Sequence, residues 1–253
     1  MTALSPHALQ TARGQLLERG WTVLRGVVES AELAALRDAF DRCVGLSLPP
    51  VAQRPGAHTL DPSFRAWVLD GRMGQLGAAL LHAETVRLLQ DALIAKPAGR
   101  GGEVAWHQDA SYLGYLPHDR LVSVRLALGP ETLEDGGLEV LDRSHVWPEP
   151  PPSLRGAESV TDGLARLPPE RRSQVERRRT EVLLAAGDLS VHLPRTWHRS
   201  APNTGPGRRR TVVSHLFDAA ARVDLSRIES GLRDHLPVDP KGHLTGPRFP
   251  VLR

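Results

Sequence analysis

The sequence predicts a mainly β protein, a sandwich or barrel with helices packed outside it. From Leu121 to Phe217 the chain runs in short apolar segments divided by Gly, Pro and Asp turns, and some of them alternate as half-buried strands do. Ahead of them lie two segments whose apolar residues recur at helical spacing. No internal repeat or linker divides the 253 residues, a length that one β-rich domain can reach. We expect a single domain over 1–253, with a helical part at 1–84, a β core at about 85–219 and a tail at 220–253.

In order, Ser5-Pro6 is a helix start and Gly20 a stop, with Leu9, Ala12, Leu16 and Leu17 on one face. Trp21 to Leu24 is a short strand. A second helix begins near Ser30 and buries Leu33, Leu36, Phe40 and Cys43, the last as a small core hydrophobe. Leu46 to Leu60 is Pro-rich and expected to be irregular. Met73 to His82 has helical character and Thr85 to Lys96 is rich in strand formers. Leu121 to Leu128 alternates apolar with Ser123, Arg125 and Ala127, as a half-buried strand should. Asp135-Gly136-Gly137 is a turn before a strand at Leu138 to Leu141. Trp147 to Arg179 is a long surface excursion and a candidate lid. Its five-Arg end, Arg171 to Arg179, is expected to be a solvated helix face. Strands return at Thr180 to Leu184, Asp188 to Leu193 and Arg210 to Phe217, and a helix is expected from Asp224 to Leu236.

Composition excludes several classes. A net charge of +3 is too small to imply a nucleic-acid partner. The single cysteine rules out an internal disulfide and fits a reducing compartment. The N-terminus has no apolar signal region and no apolar run is long enough to span a bilayer. The expectation is a soluble, cytoplasmic protein acting on small molecules.

Trp106-His107-Gln108-Asp109 is the stretch that points to chemistry. If extended, His107 and Asp109 share one face of a strand, placing an imidazole nitrogen beside a carboxylate oxygen. A second His from elsewhere would complete a two-His, one-carboxylate set that leaves cis positions open, as in non-haem Fe(II) oxygenases. The chain holds 11 His, so the pair counts only with that partner. His198 follows Trp197 as His107 follows Trp106, 91 residues later. After a Gly/Pro turn, a strand starting at Arg209 returns a guanidinium, whose planar fork suits a carboxylate. By alternation Arg209 shares a face with Thr211 and Val213, while Arg208 and Arg210 point the other way.

Four stretches carry a resemblance covering nearly the whole chain: GWTVLRGVVESAELAALR, KPAGRGGEVAWHQDASY, LEDGGLEVLDRSH and GDLSVHLPRTWHRSAPN with its trailing Arg. In order and spacing they resemble the phytanoyl-CoA dioxygenase family of Fe(II)/2-oxoglutarate-dependent oxygenases. The resemblance implies a double-stranded β-helix (jelly-roll, cupin-like) core. It implies Fe(II), 2-oxoglutarate and O2 as cofactor and co-substrates, with His107, Asp109 and His198 as iron ligands. It assigns Arg209 to the distal carboxylate of 2-oxoglutarate, with the Ser200 hydroxyl assisting. Arg125 stands where many members have Trp, and we expect it either to hold an acidic substrate or to face solvent.

The implied reaction hydroxylates an aliphatic carbon of a small molecule and releases succinate and CO2. The other reading is a metal-binding barrel without oxygenase activity, which would have no need of Ser200 and Arg209 at this offset. His192 and His215 are expected to be structural. Asn203 is expected to order the turn after His198. Gln90, Lys96, Gln108, Tyr112 and Tyr115 are expected to flank the pocket, as packing or as substrate contacts.

Overall fold

The computed structural model describes residues 4–45, 49–147, 167–228 and 236–252. Helix α1 (Pro6–Arg19) starts where the Ser5 hydroxyl accepts the Ala8 N–H, and ends at Gly20, whose φ of 85° is open to glycine. Ala12 and Leu16 are buried, but Leu17, expected on the same face, is 54% exposed. β1 (Trp21–Leu24) leads to α2 (Ser30–Val44), which buries Leu33, Leu36, Ala39 and Phe40, with the free thiol of Cys43 half-buried against them.

The stretch expected to be irregular is ordered where it is described. β2 (Ala52–Pro55) pairs with β3 (Val86–Lys96), and α3 (Ala57–Leu60) follows at once. A four-residue strand ending in Pro has little intrinsic preference for β structure, so pairing with β3 decides its conformation. Also unforeseen is α4 (Pro62–Leu69), capped by Asp61, which accepts the Ser63 N–H at 2.8 Å. α5 (Arg72–Leu81) lies close to the sheet: a Cβ on Gly77 would stand 2.9 Å from Val86 Cγ1.

The rest of the chain is strand-rich: β4 (Val104–His107), α6 (Ala110–Leu113), β5 (Leu121–Ala127), β6 (Leu138–Leu141), α7 (Pro169–Arg178), β7 (Arg179–Val182), β8 (Leu189–His192), β9 (His198–Ser200), β10 (Arg209–Asp218) and β11 (Val251–Leu252). One seven-stranded sheet runs β1-β8-β5-β10-β3-β11 with β2 beside β3, and a four-stranded sheet runs β4-β9-β6-β7. All the pairings between these strands are antiparallel, and residues of both sheets line one cavity. This is the double-stranded β-helix.

The large sheet is covered on its outer face by the helices. Leu16, Leu36, Phe40, Phe64, Met73 and Leu76 form one cluster with Val122, Val124, Leu126, Val212 and Leu216 of the sheet. β5 is therefore buried at all seven positions, not half-buried: its odd-numbered side chains face the barrel and its even ones the helices. The largest apolar cluster thus lies outside the barrel, while smaller apolar clusters with Leu121 and Ala127 flank the polar groups inside it.

Of the expected lid, 148–166 lie outside the described residues. α7, at its end, inserts Val175 among Trp106, Leu141, Trp147 and Trp197, while Arg171 and Arg178 lie over the Trp147 ring. The expected tail helix is, in its described part, one 3-10 turn at Leu225–Arg227, after which Ile228 is extended (φ −107°, ψ 134°); 229–235 are not described. Among the described residues no helix is long and apolar enough to cross a membrane.

Gly187 ties the N-terminal segment to the sheet. Its carbonyl accepts the N–H groups of Val27 and Val28 at 3.0 and 3.1 Å, its φ is +88°, and a Cβ would lie 2.6 Å from Val28 O. Gly187→Ala is expected to destabilise the fold by roughly 1–3 kcal/mol and to lower Tm by several degrees. Gly129→Ala, where a Cβ meets nothing within 4 Å, is the control and should leave Tm nearly unchanged in a calorimetric scan.

Candidate metal centre

β4 and β9 pair so that His107 lies opposite His198, with ring centroids 4.1 Å apart. Each imidazole Nδ1 is 2.8 or 2.9 Å from a main-chain carbonyl, that of Ala105 or Thr196, two residues before it. A carbonyl can only accept, so Nδ1 carries the proton and both Nε2 lone pairs are free. The Trp preceding each His points the other way by alternation, and both Trp rings enter the cluster under α7.

Asp109 arrives differently from the expectation. Strand β4 ends at His107, and Asp109 has helical dihedrals (φ −59°, ψ −29°) as the residue that opens α6. A turn, not period-two alternation, brings its carboxylate back. Oδ1 then lies 3.9 Å from His107 Nε2 and 3.6 Å from His198 Nε2. One ligand atom from each of the three residues falls within 4.8 Å of the others. Two atoms each bound about 2.1 Å from one ion are at most about 4.2 Å apart, so both measured gaps suit a shared divalent metal. The donor set of two neutral imidazoles and a carboxylate also fits Fe(II).

The second carboxylate oxygen is held from the large sheet. Oδ2 accepts the Ser123 hydroxyl at 2.5 Å and His192 Nε2–H at 3.0 Å, with His215 Nε2 at 3.6 Å. His215, Ser123 and His192 are direct cross-strand neighbours on β10, β5 and β8, and Gln90 pairs with His215 from β3. Burial pushes Asp109 upward, but His198, the hydrogen bond from His192 and the nearby His215 more than offset it, holding the carboxyl well below the usual range. Burial, then repulsion from His107 and His192, pushes His198 well down, so it is the neutral ligand form at physiological pH.

A second polar cluster lies further along the same strands. Arg209 Nε–H donates to Thr211 Oγ1 at 3.0 Å, which donates to Glu131 Oε1 at 2.5 Å; another Arg209 N–H is held by Gly136 O. Glu131 Oε2 accepts from Arg125 at 3.1 Å, and Arg125 also reaches Ser190 Oγ at 3.3 Å. Burial lowers Arg209 to about 10, still far enough above neutrality to keep its charge. Arg208 and Arg210 turn away to Asp41 on α2. Ser200 Oγ accepts from Lys96 Nζ at 2.8 Å.

His107, Asp109, His198, Ser200, Arg209 and Arg125 all line one cavity of about 670 Å³. Gln90 and Tyr112 line it too, Tyr112 donating to Asp109 Oδ1 at 3.1 Å. Gln108 does not; it is buried with its amide donating to Arg195 O. Asn203 also lies away from the cavity and orders the turn, bonding Lys96 O, Gly207 O and Gly205 N–H. Lys96 sits behind Ser200. Arg125 is inward, and the anion expected from an acidic substrate is supplied by Glu131.

Sequence reasoning missed Glu131, although it is the nearest acid after Arg125 along the chain. It also missed the cavity-lining pair His58 and Asp91. Asp91 accepts His58 N–H at 2.7 Å and the ring Nδ1 at 2.9 Å. His58 belongs to the segment whose order depends on β3, and Asp91 lies on β3 itself.

Residues 16–211 match the phytanoyl-CoA dioxygenase family. The chain belongs to that family. It is 30% identical over 178 residues to the Bos taurus phytanoyl-CoA dioxygenase domain-containing protein 1, a match covering 66% of this chain and 56% of that protein. The chain thus spans only about half the length of this curated relative. Among solved structures it is similar to the epimerase SnoN in complex with Fe3+, alpha ketoglutarate and nogalamycin RO. That match has a TM-score of 0.78 and 23% identity, covering 98% of this chain and 100% of that one. It is also similar to EctD from S. alaskensis with 2-oxoglutarate and 5-hydroxyectoine (TM-score 0.68, 20% identity, 88% and 80% covered). These structural likenesses bear on the fold of this phytanoyl-CoA dioxygenase family member.

His107→Ala or His198→Ala is expected to abolish stoichiometric Fe(II) binding, measured by metal analysis after anaerobic loading. Ser123→Ala, which frees Asp109 Oδ2, should weaken the metal by about 10–100-fold without removing a ligand. Unchanged iron content in either His variant would refute the ligand set.

Proposed function

We propose that this chain is an Fe(II)- and 2-oxoglutarate-dependent oxygenase that hydroxylates an aliphatic carbon of a small molecule. In the balanced reaction 2-oxoglutarate, O2 and a C–H bond become succinate, CO2 and a C–OH group. The observation that carries the reading is the pairing of two elements in one cavity: His107, Asp109 and His198 at one place, and the buried guanidinium of Arg209 at another. A metal-binding barrel without oxygenase activity would have no use for the second. Iron bound at the first would supply the activation of O2 and of the 2-oxo acid.

The protein's own contribution is position and exclusion. His107 and His198, fixed as Nδ1–H tautomers, present lone pairs, and Asp109 offers Oδ1 while its other oxygen is anchored. Arg209 and Ser200 offer donors to the distal carboxylate of the co-substrate. The remaining wall, with Leu89, Ala92, Leu113, Tyr115 and Phe249, is largely apolar and keeps water from the reacting carbon. A small molecule fits a space of this size; Arg125 gives no reason to require that it be acidic, because Glu131 already pairs with it.

Succinate formation from 2-oxoglutarate across a panel of small molecules, with product masses, tests the reading. Hydroxylation adds one oxygen atom. SnoN is an epimerase and SnoK a carbocyclase, so an unchanged mass or loss of two hydrogens would keep the co-substrate chemistry but overturn hydroxylation. No succinate with any compound, and none without, would favour the non-catalytic barrel.

With Fe(II) bound and air excluded, 2-oxoglutarate is expected to add a weak metal-to-ligand charge-transfer band. Titrating that band in Arg209→Ala should give an apparent Kd higher by one to several orders of magnitude, since breaking a buried charge pair costs about 3–5 kcal/mol. Arg208→Ala and Arg210→Ala, whose side chains turn away from the cavity to Asp41, should titrate like the parent.

A further inference from the structure

We propose that Arg125 is a second guanidinium of the carboxylate site at Arg209, and that Glu131 is the positioning residue that ties the two together from behind. The cluster then holds one uncancelled positive charge, to be met by the distal carboxylate of the co-substrate. This rests on the reading above that 2-oxoglutarate binds.

The argument begins with a charge count. Arg125, Glu131 and Arg209 have side chains 5%, 0% and 2% exposed, so two cations share one carboxylate away from water. Glu131 stays ionised: burial raises it, but Arg209 and Arg125 bring it below its ordinary value. An unmatched buried charge is costly. The other buried acids are committed elsewhere, Asp91 to His58, Asp188 to Arg25, Glu139 to Arg179 and Arg199, Asp218 to Arg120 and Asp109 to the metal centre. Lys96 adds little charge, because burial and then repulsion from Arg209 and Arg125 lower it to about 6. Among the described residues, then, no other buried acid supplies the missing anion.

Geometry says where a ligand would supply it. Arg125 and Arg209 both line the cavity, whereas Glu131 does not. Glu131 therefore grips both guanidinium groups on their far side, directly at 3.1 Å for Arg125 and through Thr211 for Arg209. Arg125 stands opposite Val213 in the β5–β10 register, and Arg209 is four residues earlier on β10. Neither cation can swing to the other's place without breaking its bond to Ser190 or Gly136.

Binding of 2-oxoglutarate and of pyruvate to the Zn(II)-loaded protein, by calorimetry, tests this. Pyruvate offers the same 2-oxo acid end without the distal carboxylate. Arg125→Gln, which leaves Glu131 to neutralise Arg209, should weaken 2-oxoglutarate by about tenfold or more. Glu131→Gln, which adds a net charge, should tighten it by about threefold or more. The double variant Arg125→Gln/Glu131→Gln restores the charge count and should return to within about threefold of the parent. Pyruvate should be unmoved throughout, which also shows that each variant is folded and loaded. Shifts of the two single variants in the same direction, or in neither, would overturn the proposal while leaving the co-substrate reading intact. If the parent itself prefers 2-oxoglutarate no more than pyruvate, it is the co-substrate reading that falls.

Discussion

The two oxygens of Asp109 belong to different sheets, and the site depends on that division. Oδ2 is held by Ser123 and His192 of the large sheet, while Oδ1 faces His107 and His198 of the small one. A carboxylate with one oxygen fully engaged loses the freedom to rotate, so its other oxygen has a defined place before any metal arrives. The anchor is a cross-strand row, Gln90, His215, Ser123 and His192, which exists only if β3, β10, β5 and β8 keep their register. A one-residue slip of β5 would replace Ser123 by Val122 or Val124. Register is in turn fixed by the helices, which demand that Val122, Val124 and Leu126 face them.

This division of labour explains a barrel interior rich in charge. Arg125, Glu131, Arg209 and Asp109 are all under 5% exposed. Buried charges of this kind contribute little net stability and are tolerated because the apolar core lies on the opposite face of the same strands. Helices α1 to α5 with the outer face of the large sheet form that core, which leaves the inner face free for chemistry. The arrangement makes the interior sensitive in a specific way: deleting one member of a charge pair strands its partner away from water.

Much of this was legible in the sequence. Alternation placed Arg209 inward and Arg208 and Arg210 outward, because a strand with one face under helices obeys period two whatever lies on the other. The repeated Trp-His also follows from alternation, the Trp side chains sharing one outer cluster. What could not be read depended on partners distant in the chain. β2 and α3 have weak local preference and take their shape from β3, so His58 could not be placed. Asp109 looked like a strand residue because His-x-Asp satisfies period two, yet the helical turn of α6 satisfies the same proximity by another path. The partner of Arg125 was not legible because Glu131 lies in an isolated bridge to Leu184, 53 residues on, with no periodicity of its own to announce its direction.

The same strands carry both ends of the site, and that sets a ruler. β5 presents Ser123 to Asp109 and, two residues on, Arg125 to the carboxylate cluster. β9 presents His198 to Asp109 Oδ1 and, two residues on, Ser200 beside Lys96. Two residues of an antiparallel strand cover about 7 Å, comparable to the span of a five-carbon dicarboxylate. Because two independent strands repeat the interval, neither can shorten it alone without losing register with its neighbours. A molecule held at both ends must therefore match a length set by backbone geometry, while part of the remaining wall comes from loops and short helices, as with Gly56, His58, Leu113 and Arg248. The spacing of the polar groups along the cavity is thus tied to the strands of the fold, whereas a wall residue such as His58 comes from the short helix α3.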